Sequence, residues 1–288
     1  MTIPPSIRSI VEQKIKSSFK ESVVGGGSIN EAFRLDTGAR SYFLKVNSAV
    51  KFPQLFRKEA DGLAAIRQTG TIRVPDVYEC FTIDDRQALL MEWIEPGERT
   101  PSFWKLFGEQ LAALHRHTDT AFGFLEDNYM GSVVQDNSRA RDWNEFFIEN
   151  RLEPLLYSCL EKGLLNQEHL RSFERLFTKL PDIFETIPTP TLVHGDLWSG
   201  NFVCDAQSRP VLIDPAVYYG HPAVDLGLTR LFSGFAPDFY EAYRHHSPAT
   251  TDYAALSDVC NLYPLLLHLL LFGSSYLPRI ESILRTTE

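Results

Sequence analysis

Only four cysteines are spread through the 288 residues, at Cys80, Cys159, Cys204 and Cys260, and no two form a Cys-x-x-Cys pair. A disulfide framework and a structural zinc site both lack their spacing signal. Reduced thiols in a cytoplasmic protein are expected, with Cys80 and Cys204 as small buried hydrophobes in strand-like stretches. Basic charge is also scarce. Lys and Arg number 28 against 37 Asp and Glu, a net charge of −9. That balance disfavours a nucleic-acid partner, which calls for a basic surface. Long apolar runs are missing too. The most apolar late stretch, residues 265–272, is interrupted by His268 and is too short to span a bilayer. The first 20 residues contain no apolar core of signal-peptide length. A soluble, unanchored monomer is the expectation. No internal repeat or low-complexity segment is present.

The composition is otherwise that of a globular chain, 44% apolar and 23% charged, long enough to bury a core without staples. Ile7, Ile10, Val11, Ile15 and Phe19 share one helical face after Pro4 and Pro5. Strand patterns follow at 22–24, 32–35 and 41–46, a helix at 54–68, and further strands at 74–81 and 88–93. Glu95-Pro96-Gly97 is a turn signal. Beyond it the period is helical at 102–117, 143–160 and 167–184. Short strands at 201–204 and 211–214 interrupt it, and the remainder is helical. The pattern predicts an α+β chain of two lobes: a β-rich N-lobe over residues 1–95 and a larger α-rich C-lobe over 96–288. A ligand cleft is expected between them.

Three segments carry chemistry. Gly25-Gly26-Gly27-Ser28 lies between two strand patterns, which excludes the Rossmann context, and no Gly-Lys-Ser/Thr follows. A glycine turn between strands still lets backbone N–H groups approach a phosphate, although an ordinary flexible hairpin reads the same way. Lys45 stands in the strand pattern Tyr42-Phe43-Leu44-Lys45-Val46, with Glu59 fourteen residues on in the predicted helix. A strand lysine held by a helix glutamate and aimed at nucleotide phosphates is the protein-kinase arrangement. A lysine on the solvent face of the strand is the plainer alternative.

The third segment is His194-Gly195-Asp196-Leu197-Trp198-Ser199-Gly200-Asn201, followed by Val211-Leu212-Ile213-Asp214. Asp and Asn five residues apart match the kinase catalytic loop, where Asp accepts the hydroxyl proton and Asn holds a metal ion. If Cys204 pairs with Val211, Asn201 stands opposite Asp214, and the two oxygen donors could share Mg²⁺. A one-residue slip would break that arrangement. A structural turn with His194 as a core residue is an alternative. So is a zinc or iron site on His194 and Asp196, which would need His221 or Asp214 as further ligands.

From Gly25 to Leu277 the sequence resembles the fructosamine kinase (ketosamine 3-kinase) family, within the wider aminoglycoside phosphotransferase-like group. The resemblance is carried by Gly25-Gly26-Gly27-Ser28-Ile29-Asn30, Tyr42-Phe43-Leu44-Lys45-Val46-Asn47 and Glu59-Ala60-Asp61-Gly62-Leu63. It continues through Met91-Glu92-Trp93-Ile94, Phe122-Gly123-Phe124 and Asp127-Asn128-Tyr129-Met130-Gly131. The most specific stretches are His194 to Asn201 and Asp214-Pro215-Ala216-Val217-Tyr218-Tyr219-Gly220-His221.

The resemblance implies a protein-kinase-like fold and ATP- and Mg²⁺-dependent phosphorylation of O3 of a ketosamine, free or protein-bound, in deglycation repair. It implies Asp196 as base, Asn201 and Asp214 as metal ligands, and Lys45, fixed by Glu59, on the α/β-phosphates. Gly25, Gly26, Gly27 and Ser28 would cover the phosphates. Glu92, Trp93 and Ile94 would present backbone to adenine. Trp198 and His268 are the candidate acceptor residues, with Trp198 also readable as a core ring. Asp225 is expected to support the catalytic-loop backbone. The sequence departs from the family pattern at Pro222-Ala223 and at Leu267-His268, both in the larger lobe, where the acceptor would bind. A choline, homoserine or aminoglycoside kinase, and a nucleotide-binding pseudokinase, are the other readings.

Overall fold

Pro5 opens helix α1 (Pro5–Ile15), which ends where Lys16 turns to φ +55°. Ile7 and Val11 are buried, whereas Phe19 lies past the helix end and reaches the core from the following segment. The computed structural model describes residues 2–25, 29–184, 189–247 and 253–287. Gly26, Gly27 and Ser28 lie outside the described residues.

Strands β1 (Lys20–Val23), β2 (Glu31–Asp36) and β3 (Ser41–Ser48) precede helix α2 (Leu55–Thr69). Strands β4 (Val77–Ile83) and β5 (Arg86–Glu92) complete an antiparallel sheet of order β1-β2-β3-β5-β4. Alternation splits the sheet into two faces. Phe33, Leu35, Leu44, Val46, Ala88 and Leu90 pack with Ile7 and Val11 of α1. Leu89 and Met91 pack with Phe56, Leu63 and Ile66 of α2. Lys45, between Leu44 and Val46, therefore faces α2, and its strand is covered on both sides. That cover removes the solvent-face reading of the lysine. Cys204 is buried as expected, but Cys80 is half-buried, because β4 is an edge strand.

The larger lobe begins with α3 (Pro101–Leu114) and a hairpin of β6 (Asn128–Met130) and β7 (Val133–Gln135). Helices α4 (Trp143–Phe147) and α5 (Glu153–Glu161) flank a π-helical turn at Ile148–Leu152, and α6 (Gln167–Ile183) follows. The sequence pattern reads 143–160 as one regular helix. The π turn arises because Pro154 has no N–H for the carbonyl of Asn150, which instead accepts from Arg151 Nη1 at 3.0 Å.

Strands β8 (Thr191–Val193), β9 (Phe202–Cys204), β10 (Pro210–Leu212) and β11 (Tyr218–Gly220) form two separate antiparallel pairs, β8 with β11 and β9 with β10. Helices α7 (Ala223–Leu231), α8 (Pro237–His246), α9 (Tyr253–Cys260), α10 (Leu262–Phe272) and α11 (Leu277–Thr286) close the lobe, with a 3-10 turn at Ser274–Tyr276. The pairs β6–β7 and β8–β11 escape sequence reading because three residues are too few to show an alternation. No helix among the described residues is long and apolar enough to cross a membrane. The two lobes are tied by Arg73, whose carbonyl accepts from Leu212 N at 2.9 Å and whose guanidinium meets Asp205 at 2.8 Å.

The expected β9–β10 register is off by one residue. Cys204 stands opposite Pro210, not Val211, and Ile213 N donates to Asn201 O at 3.0 Å. The loop is one residue shorter than predicted because Asp205 closes it early, its Oδ1 accepting from Gln207 N and Arg209 N at 2.9 Å each. Asn201 and Asp214 are therefore not a directly opposed pair.

Candidate active site

Between the lobes lies a cleft of about 830 Å³. Its walls include Gly25, Lys45, Glu59, Glu92, Trp93, Ile94, Asp196, Trp198, Asn201, Asp214 and His268. Every described residue that the resemblance assigned to catalysis, nucleotide, metal or acceptor lines this one space, whereas His194, His221 and Asp225 do not. Despite the register slip, Asn201 and Asp214 line the same cleft, beyond the ends of β9 and β10. Asp214 leaves the ladder at φ +55°, a left-handed conformation that redirects the chain at that residue.

Lys45 is the electrostatic centre. Its Nζ donates to Glu59 Oε1 at 2.8 Å and to Asp214 Oδ1 at 2.6 Å, and the residue is 3% exposed. Burial pulls its pKa down, but the two carboxylates outweigh burial and hold the ammonium charged. Burial pushes Glu59 upward, against the pull of Lys45. Two of the lysine's three N–H donors are used, which leaves one for a ligand.

Asp196 hangs from a backbone fixed from beneath. Asp225 is wholly buried, and its carboxylate accepts from His194 N at 2.8 Å and Gly195 N at 2.9 Å. His115 Nε2 completes that site at 3.1 Å. Burial would raise Asp225, but these hydrogen bonds and the two imidazoles hold it below the usual carboxylate range. Gly195 has φ +83°, and a Cβ there would lie 2.1 Å from Ala216 O, so the turn accepts only glycine. His194 is fully buried and satisfied, its Nε2 bonded to Ile213 O at 2.9 Å, which makes it scaffold. Among the described residues no group of three or more His, Cys, Asp or Glu could hold a metal, which removes the zinc or iron reading there.

Asn201 Nδ2 donates to Asp196 Oδ2 and to Asp196 O, both at 2.8 Å. Burial pushes the Asp196 carboxyl well above its ordinary range; Asn201 opposes the rise, and Asp214 and Asp225 add to it. The amide N–H groups of Asn201 are thus committed to Asp196, and its Oδ1 remains as an oxygen donor on the cleft that Asp214 also lines. An amide oxygen and a carboxylate are a hard-donor set of the kind that suits Mg²⁺.

Glu92 lines the cleft with Trp93 and Ile94. Its N–H is taken by Asp76 O at 2.8 Å and its carboxylate is held by Arg73, so its own backbone donor is not free for a ligand. Trp198 is half-buried and lies over Gly200, where a Cβ would sit 2.3 Å from the indole ring. It walls the cleft and is not a core ring. Of the two departures in the larger lobe, Leu267 lines the cleft, whereas Pro222-Ala223 only starts α7. Sequence reasoning missed Phe232, Phe272 and Tyr276, which also line it. The signal was the four-residue spacing of His268, Phe272 and Tyr276.

A sequence profile described as fructosamine kinase matches residues 3–287. The chain is 39% identical over 274 residues to a candidate ketoamine kinase of Enterococcus faecium, covering 94% of this chain and 96% of that one. It is 36% identical over 283 residues to a chloroplastic protein-ribulosamine 3-kinase of Arabidopsis thaliana, covering 96% and 84%. A solved structure of a candidate fructosamine-3-kinase from Thermobifida fusca superposes with a TM-score of 0.89 at 29% identity, covering 98% of each chain. An aminoglycoside phosphotransferase bound to ADP and hygromycin B superposes at TM-score 0.68 and 15% identity over 98% of each chain, which shows the shared kinase-like fold alone.

Proposed function

The chain belongs to the fructosamine kinase family and is an ATP-dependent kinase acting on a sugar hydroxyl; within that activity we propose that its acceptor is a ketosamine and its target atom O3. The observation that carries the site assignment is the meeting of Lys45, Asp196, Asn201 and Asp214 on one cleft.

In this reading Asp196 accepts the proton of the sugar hydroxyl. Asn201 fixes its Oδ2, leaving Oδ1 for the acceptor. A carboxylate raised above its ordinary pKa takes such a proton more readily than a free one. The transition state of phosphoryl transfer is loose, so positioning and charge neutralisation outweigh base strength. Lys45 gives its third N–H to the α/β-phosphates, and Glu59 and Asp214 hold it in place. The glycine segment from Gly25 covers the phosphates. Adenine meets the backbone from Glu92 to Ile94, where the Glu92 N–H is already used. Asn201 Oδ1 and Asp214 would hold Mg²⁺, which when bound neutralises phosphate charge. Trp198 and His268 border the acceptor.

The four thiols are free, which fits a reducing compartment such as the cytoplasm. The reading has the protein acting as a monomer, without nucleic acid or membrane. An ADP-release screen over ribulosamines, fructosamines, choline and aminoglycosides tests it, with the product mapped by phosphorus NMR. Turnover of ketosamines with phosphate at O3 is expected. Preferential turnover of choline or an aminoglycoside, or tight ATP binding with no turnover, would overturn it.

A further inference from the structure

Five rings run in a chain from the neighbourhood of Asp196. Trp198, two residues past the aspartate, has its ring centre 6.2 Å from that of Phe232. Phe232 stands 5.0 Å from His268, which stands 5.4 Å from Phe272 and 5.0 Å from Tyr276. All five line the same cleft as Asp196, Asn201 and Asp214. They come from the catalytic segment, the end of α7, α10 and the 3-10 turn. Phe272 is 53% exposed. A lone exposed ring needs no explanation, but this one continues a wall that begins beside the reacting centre.

The wall carries no charge. His268 is half-buried, its Nδ1 engaged with Pro264 O at 2.6 Å, and burial lowers its pKa, so the ring is neutral. Among the described residues lining the cleft the cations are Lys45 and Lys58. Lys45 is bound between Glu59 and Asp214, and Lys58 Nζ donates to Asp127 O. A carboxylate laid on the rings would lose water, and none of the five rings carries a charge to compensate it, a costly transfer. A hydrocarbon chain would gain buried area there, and the protonated nitrogen of a ketosamine would gain the ring faces.

We infer that this ring chain is the subsite for the amine-borne part of the acceptor. It selects ketosamines whose nitrogen carries an uncharged hydrocarbon chain over those with a carboxylate beside the nitrogen. The inference rests on the ketosamine reading above and adds to it which acceptors are preferred and which residues choose them.

The test uses the full chain and three acceptors made from one ketose, on methylamine, hexylamine and norleucine. The hexylamine adduct is expected to exceed the methylamine adduct in kcat/KM by roughly tenfold, and norleucine, with its α-carboxylate, to fall below hexylamine by at least as much. Phe272→Ala and Tyr276→Ala should each draw the hexylamine-to-methylamine ratio towards one, through KM, and Phe272→Tyr should restore it. The subsite is overturned by a ratio near one in the parent, by norleucine equal to hexylamine, or by a ratio that neither alanine variant changes. If the methylamine adduct is phosphorylated in those cases, the ketosamine reading survives the loss of the subsite. No turnover of any of the three removes both.

Discussion

Lys45 Nζ lies 2.6 Å from Asp214 Oδ1, although 169 residues separate them and they belong to different lobes. One hydrogen-bonded ion pair thus spans the cleft. The same ammonium also satisfies Glu59, so its loss would strand two carboxylates.

Lys45→Met is therefore expected to weaken both ATP binding and the fold. A fully buried pair broken on one side costs about 3–5 kcal/mol. Asp214 is 40% exposed, which screens its share, so about 2 kcal/mol is expected here. Urea denaturation of parent and variant measures the loss, and titration calorimetry the ATP affinity. An unchanged midpoint would show that the triad carries no stability.

Asp196→Asn and Asp214→Ala should fail in different ways. With Asp196 as the proposed base, the first removes an interaction made only during transfer, so kcat and kcat/KM should fall together by roughly 10²–10⁴ while ATP still binds. The second removes an oxygen donor, so turnover is lost and Mg²⁺ no longer strengthens ATP binding. Calorimetry with and without Mg²⁺ separates the two. Near-parental turnover by Asp196→Asn would refute its role as base.

Gly200→Ala places a methyl where the Trp198 ring now lies, 2.3 Å from its nearest atom. The ring must swing, and its swing changes the acceptor wall before it reaches the nucleotide. KM for the ketosamine should rise several-fold more than KM for ATP. Equal changes in both constants would contradict the placement of Trp198.

His221 supplies a pH dependence. Burial, with His115 adding to it, lowers its pKa to about 3. Its Nδ1 accepts from Ala223 N at 3.0 Å and so needs the neutral ring. Between pH 6.5 and about 3 the unfolded chain binds a proton that the folded chain refuses. Stability therefore falls on acidification through that window, by about 1.4 kcal/mol per pH unit from this residue. His221→Asn should flatten the slope between pH 6 and 4 in denaturant titrations. Parallel slopes for parent and variant would sink this assignment.

Chemistry carried by neighbours in the chain was legible in the sequence. The spacing of Asp196 to Asn201 lies within one turn-rich segment, and Lys45 to Glu59 spans one strand and the next helix. The two lobes also followed from local pattern, because strand and helix periods change near the turn at Glu95 to Gly97. The register of β9 against β10 was not legible. It depended on where the Asp205 carboxylate closes the loop, and both closures satisfy the same apolar pattern.

The residues by themselves determined which side chains were available for phosphoryl transfer and in what order, because helix and strand periodicity are local properties of the backbone. Only the tertiary structure decided that Asp214 leaves its strand at φ +55° to meet Lys45. Only it brought Trp198, Phe232, His268, Phe272 and Tyr276 into one wall. Those meetings are set by how separate helices and strands pack against one another, and packing depends on the shapes of distant side chains that no short window contains.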